Sequence, residues 1–234
     1  DKVALRDTEG FMPAVLTVTE LWQADKELEA EAVFGSTSKL HPGVDYLINS
    51  CQSHYIGGQI QGTEELSHFD FETLWSSPAQ LQALFKKQGW RNVIAFQTSQ
   101  PMHKVQQHII LQAAREAQAH ILIHPTVGTT KPGDLDYYAR VHCYQAIQKY
   151  FPDNLAMMSL LPMAMRMAGP KEALWHAIIQ KNFGCTHFFI GPNHASPPGR
   201  EKFYAQSAAQ SYVSKHEHEL GIKVMAAEET RYVP

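Results

Sequence analysis

Short apolar runs alternate with helix-period segments along the second half of this chain, and no other feature restricts its fold as much. Residues 93–96 (Val-Ile-Ala-Phe), 120–124 (His-Ile-Leu-Ile-His), 156–161 and 186–190 have the length and apolar continuity of strands buried on both faces. Segments 79–88, 102–119, 135–149 and 171–182 between them carry apolar residues at helical spacing. Ser77-Pro78 reads as an N-cap with Pro at the first helical position, and Pro101 reads as the first helical residue of the next segment. Parallel neighbours need a crossover that returns the chain to the same edge, so the pattern predicts a parallel α/β sheet with a Rossmann-like layout. Such a sheet takes its ligand outside the carboxyl ends of its strands, where backbone N–H groups and helix N-termini favour anions.

Four polar loops fall at that edge. They are Gln97–Gln100 with His103, residues 128–134 with Lys131, residues 166–171, and residues 191–195 with His194. Lys, Arg, His and Gly gathered there from separate loops suit a phosphorylated ligand. Two histidines at the mouths of different loops can hold a nucleoside triphosphate and stabilise charge on a phosphoryl oxygen, because phosphoryl and nucleotidyl transfer depend mainly on positioning and electrostatics. The chain has no G-x-x-x-x-G-K-[ST], G-x-G-x-x-G or G-x-S-x-G, which excludes a P-loop, a dinucleotide fingerprint and a nucleophile elbow.

Residues 1–66 read differently, as mostly β. Runs 3–5 and 14–18 flank a turn cluster at 7–10, a helical segment spans 21–32, His41-Pro42-Gly43 lies in a loop, and a strand at 55–60 turns at Gly57-Gly58. His41 and His54 read as loop or turn residues, and no catalytic constellation is visible there. The 234 residues, 44% of them hydrophobic, allow one large domain or one and a half. A net charge of −3 without a basic block argues against nucleic-acid and anionic-membrane partners, and no apolar run is long enough to span a bilayer. Cys51, Cys143 and Cys185 are far apart and odd in number, the pattern of reduced cytoplasmic thiols. The 13 histidines include no H-E-x-x-H, so no protein-bound metal is expected. The first residues lack signal-peptide character and a starting Met, so a trimmed chain is expected.

Several motifs together resemble the ATP sulfurylase (sulfate adenylyltransferase) family. They are Gln97-Thr98-x-x-Pro101-Met102-His103, Lys131-Pro132-Gly133-Asp134, the run from Met165 to Ile179, Lys181-Asn182-Phe183-Gly184-Cys185-Thr186-His187-Phe188, and Gly191-x-x-His194-Ala195. Phe34-Gly35 and His41-Pro42-Gly43-Val44 resemble the family's PUA-like N-terminal domain. The resemblance implies a partial PUA-like domain over 1–66 and a nucleotidyltransferase domain over 67–234. It implies transfer of AMP from MgATP to sulfate, giving adenylyl sulfate and pyrophosphate, with ATP and Mg2+ as substrate, a small oxyanion as acceptor, and a homo-oligomeric assembly. It further implies catalytic roles for Thr98, Ser99, Gln100, His103 and Gln106. Nucleotide contacts fall to Gln97, Thr98, Gly191, Asn193 and His194, and oxyanion contacts to Gln97, Ser99 and the Ala195 backbone.

The chain departs from the family at its most polar positions. Ser99 stands for the Arg that binds sulfate, Gln100 for Asn and Gln106 for the second His of His-x-x-His. Pro192-Asn193 stands for Arg-Asp, Ser196 for Gly, and Gln180 for a usual Arg. A guanidinium fork offers a dianion bidentate, charge-assisted bonds where a Ser hydroxyl offers one neutral bond. Losing one preorganised transition-state donor costs ~3 kcal/mol, on the order of a hundredfold in rate. Three readings therefore stand: a sulfate adenylyltransferase of reduced efficiency, a divergent paralogue using another oxyanion, or a non-catalytic nucleotide-binding or assembly subunit. The C-terminal end, from Glu228 to Pro234, reads as short against the family pattern.

Overall fold

A computed structural model describes residues 1–64, 68–128, 135–199 and 201–227. The chain divides into two compact units, Asp1–Glu72 and Thr73–Pro234. Lys131 and the rest of the Lys-Pro-Gly-Asp motif, and the segment from Glu228 to Pro234, lie outside the described residues.

The first unit is a three-stranded antiparallel sheet, β1 (Lys2–Leu5), β2 (Ala14–Gln23) and β3 (His54–Gly62), in the order β1-β2-β3. Two helices, α1 (Lys26–Phe34) and α2 (Pro42–Asn49), separate its second and third strands. The expected helix over 21–32 begins later, because Leu21, Trp22 and Gln23 continue β2 in register with Ile56, Tyr55 and His54. Asp25 then caps α1, its carboxylate accepting from Leu28 N–H at 3.0 Å. The expected turn at Gly57-Gly58 is absent. Both glycines stay in the strand, opposite a register shift between Val18 and Glu20, and a Cβ on Gly58 would collide with the Thr17 carbonyl. His41 lies at the bend before α2, as expected of a turn residue, but is fully buried. Its Nδ1 accepts from Gly43 N–H at 3.0 Å as the N-cap of α2, and its ring packs 4.9 Å from that of Phe34.

The second unit is built on a five-stranded, wholly parallel sheet. Its strands are β4 (Val93–Thr98), β5 (His120–Pro125), β6 (Ala156–Met158), β7 (His187–Ile190) and β8 (Lys223–Ala226), in the order β6-β5-β4-β7-β8. The helices are α3 (Pro78–Lys87), α4 (Lys104–Glu116), α5 (Tyr137–Gln148), α6 (Gly169–Asn182), α7 (Ala208–Ser214) and α8 (Glu217–Leu220). Alternation along β4 divides the core. Val93 and Ala95 join Leu81, Phe85, Ala173, Ala177 and Val213 on one face, while Ile94 and Phe96 join Ile110, Ala113 and Tyr144 on the other. Helices α3, α6 and α7 therefore cover one face and α4 and α5 the other. The Ser77 N-cap holds as expected, in a reciprocal pair with Gln80 that satisfies two otherwise free N–H groups.

Several boundaries differ from expectation, first of all the end of β4, where Gln97 and Thr98 continue the strand in register with His124 and Pro125 instead of opening the loop. Helix α4 starts at Lys104, so Pro101 lies ahead of it and His103 is the N-cap residue. The expected strand 156–161 ends at Met158, after which Leu160 and Leu161 make isolated bridges to Trp75 and Thr126. A fifth strand, β8, closes the edge beyond β7.

Candidate functional site

From β4 the chain steps outward through β5 and β6, then returns to the other side of β4 as β7 and β8. The loops leaving β4 and β7 therefore diverge from neighbouring strands, which makes the crevice between them the topological switch point. Residues 97–103 and 191–195 occupy it.

Helix α6 supplies the floor. Glu172, His176 and Gln180 recur at four-residue spacing and form one polar, fully buried stripe on an otherwise apolar inner face. By strand alternation Gln97 shares the face of Val93 and Ala95, and His124 that of Leu122, so both point at this stripe. Gln97 Nε2 lies 3.0 Å from His176 Nδ1, and Gln180 Nε2 donates to Gln97 Oε1 at 2.8 Å. His124 Nδ1 lies 2.8 Å from Gln180 Oε1, and His194 Nε2 lies 2.9 Å from His176 Nδ1. With these amide orientations the protons follow. His124 donates from Nδ1, whereas His176 accepts at Nδ1 from both Gln97 and His194, leaving its Nε2–H toward Glu172 Oε1 at 3.3 Å. That last pair is at ion-pair distance without hydrogen-bond alignment.

Burial alone would raise the Glu172 carboxyl, but His176 and the backbone N–H groups of Arg166 (2.6 Å) and Ala168 (2.8 Å) hold it below its ordinary value. Burial lowers His124 to about 4, against the bond from Gln180. Burial, then the neighbouring His176, lowers His194 to about 3. Both imidazoles are neutral near pH 7. His194 thus offers an Nδ1 lone pair to a ligand donor while its Nε2–H is held by His176.

The loop after β7 is tied to the start of α6. Gly169 N–H donates to Ala195 O at 3.0 Å, and both Ala195 and Met167 adopt left-handed backbone, with φ of 56° and 65°. Left-handed geometry at non-Gly residues costs about 1–3 kcal/mol each and persists only where the surroundings impose it.

On the other side of the crevice, α5 holds the loop after β4. Thr98 Oγ1 donates to Gln100 O at 2.8 Å and accepts from Gln100 N–H at 3.1 Å, a local turn that uses the hydroxyl structurally. Tyr144 donates to the same Gln100 carbonyl at 3.0 Å. Arg140, in the first turn of α5, is only 6% exposed, and its Nη1 reaches Ser99 O at 3.4 Å. Its Nε and Nη2 have no hydrogen-bond partner, and no carboxylate among the described residues lies within ion-pair distance of it. A buried donor left unsatisfied costs about 1–3 kcal/mol, and more when charged.

The structure thus brings Gln97 and His194 together through His176 and joins Ala195 to the same cluster. Thr98, Ser99 and Gln100 form the opposite lip. Gly191 is half-buried and Asn193 exposed in the loop after β7. His103 is exposed at the start of α4, and its backbone N–H donates to Gln106 Oε1 at 3.1 Å, so Gln106 serves as a helix cap. Sequence reasoning did not assign His124, Arg140, Glu172, His176 or Gln180 to the site, although it marked Gln180 as a departure from the family pattern. The four-residue polar recurrence in an apolar helix was the available signal for three of them. Arg140 carried none. A separate cavity of about 420 Å3 opens at the opposite rim, among Asn92, Glu116, His187, Glu217 and Lys223. Among the described residues no three His, Cys, Asp or Glu side chains cluster as metal ligands, and no helix is long and apolar enough to cross a membrane.

Residues 72–234 match the ATP-sulfurylase family model and residues 1–65 the PUA-like domain model. Sulfate adenylyltransferases from Mycosarcoma maydis and Yarrowia lipolytica are each 45% identical, and that from Aspergillus terreus is 46% identical, over the whole of this chain. The chain spans 41% of the length of each of these curated relatives. A hexameric APS kinase from Thiobacillus denitrificans superposes with a TM-score of 0.73 at 29% identity, over 98% of this chain and 38% of that one.

Proposed function

The chain belongs to the ATP-sulfurylase family, and from that membership we propose that it carries the PUA-like and nucleotidyltransferase domains of a sulfate adenylyltransferase. In this reading a sulfate oxygen attacks the α-phosphorus of MgATP, pyrophosphate leaves, and adenylyl sulfate forms. The carrying observation is that Gln97, at the end of β4, and His194, in the loop after the neighbouring strand β7, are both fixed by one buried imidazole, His176, at the sheet's switch point.

Gln97 keeps one amide proton and one carbonyl lone pair free of its two network bonds, so it can contact nucleotide or oxyanion without reorganising. His194 Nδ1 accepts from a nucleotide donor, and Gly191 and Asn193 line the same loop. Thr98 and Ser99 face the oxyanion with the Ala195 backbone. His103, free of the packed network, reaches phosphate oxygens from the start of α4. Gln100 and Gln106 occupy the remaining family positions, but their carbonyl and side-chain oxygens are engaged structurally here. The three cysteines form no disulfide, in keeping with a cytoplasmic site of action, and the hexameric neighbour is in keeping with a homo-oligomer.

Pyrophosphate release from MgATP, measured with and without sulfate, tests the reading. Sulfate-dependent release is the expected result, and combined Ser99→Arg, Gln100→Asn and Gln106→His substitution raises it by at least tenfold. Release that selenate or another oxyanion supports and sulfate does not would move the acceptor. Absence of any ATP binding by calorimetry would end the enzymatic reading.

A further inference from the structure

Among the described residues of the second unit, Arg140 is the one charged side chain left with unsatisfied buried nitrogens. Its side chain is buried, carries a full charge, and meets one backbone carbonyl at long range, Ser99 O at 3.4 Å from Nη1. The unpartnered nitrogens are Nε and Nη2. Together these form the side edge of the guanidinium, the one that presents two parallel N–H bonds to two oxygens of a carboxylate, sulfate or phosphoryl group. An interior guanidinium with that edge unpartnered, and with no carboxylate within ion-pair distance among the described residues, keeps two N–H groups that an anion would satisfy.

Its location narrows the anion. Arg140 belongs to the first turn of α5, a twelve-residue helix whose N-cap Asp136 accepts from Ala139 N–H, so the positive end of the helix adds to its charge. It sits against the carbonyl of Ser99, the residue at which the resemblance places an oxyanion-binding Arg that this chain lacks. Tyr144, one turn further along α5, secures the same loop at Gln100 O.

We propose that Arg140 is the oxyanion-binding cation of this site, its Nε and Nη2 taking two oxygens of a tetrahedral dianion such as sulfate in place of a guanidinium at position 99. The assignment rests on the reading that the lip after β4 holds the acceptor. It explains how a chain with Ser99 keeps positive charge at the acceptor corner, and it makes α5 rather than the loop itself the source of that charge.

Calorimetric titration of the full chain with sodium sulfate, alone and with α,β-methylene-ATP present, tests it. Arg140→Gln is expected to weaken sulfate binding at least tenfold while changing α,β-methylene-ATP affinity less than twofold. Adding Ser99→Arg to that variant is expected to recover at least threefold. Arg140→Lys keeps the charge and loses the fork, so it covers the case in which the Gln variant fails to fold. It is expected to lose at least threefold in sulfate affinity with an unchanged melting temperature. Sulfate binding within twofold of the unmodified chain in either folded variant, or no sulfate binding by the unmodified chain, overturns the proposal. Failure of the unmodified chain to bind α,β-methylene-ATP overturns the nucleotide reading instead, whatever sulfate does.

Discussion

Acid should destabilise the second unit through His124 in particular. This imidazole is fully buried on β5, donates to Gln180, and has its Nε2 without a partner. Its pKa is about 4 in the folded chain against 6.5 for the ordinary group. Between those values the unfolded chain takes up a proton that the folded chain refuses, so the contribution is complete above pH 6.5 and is lost as pH falls toward 4. Linkage over this interval gives about 2 kcal/mol lost between pH 7 and pH 4.5 from this one residue. Comparing the chain with its His124→Gln variant cancels the other histidines, since Gln retains a donor for Gln180 and cannot titrate. Urea unfolding followed by tryptophan fluorescence measures it, in a Trp22→Phe background so that the signal comes only from Trp75, Trp90 and Trp175 of the second unit. The unmodified chain is expected to lose about 2 kcal/mol more than the variant over that range. Equal losses would refute the depressed pKa.

Two further outcomes follow from the same structure. Glu172→Gln replaces a carboxylate that accepts from Arg166 and Ala168 N–H and faces His176; unfolding in urea at pH 7 is expected to show a loss of about 2–3 kcal/mol, the scale for losing hydrogen bonds to a charged group. Gly169→Ala forces a side chain onto φ of +55° and to within 2.6 Å of the Tyr204 ring; it is expected to cost about 1–3 kcal/mol by the same assay, and a neutral result would show that the start of α6 rearranges freely.

The alternation of buried runs with helical periods determined the parallel sheet, because a strand covered on both faces must be apolar throughout and a crossover must be helical in length. The Ser77 cap was legible for a similarly local reason, since a cap depends on residues within one turn. Motif resemblance likewise marked Gln97, His194 and Ala195. In the first unit, Leu21–Gln23 was misread as helix because its pairing with Tyr55 and Ile56 lies more than thirty residues away along the chain. Tertiary structure alone decided the rest of the site. Which face of β4 meets α6 depends on strand order, and only that order sets Gln97 against His176 and His124 against Gln180. Arg140 was invisible for the same reason: an arginine in a helix is ordinarily solvated, and its vacancy arises only because α5 packs under the loop that ends β4.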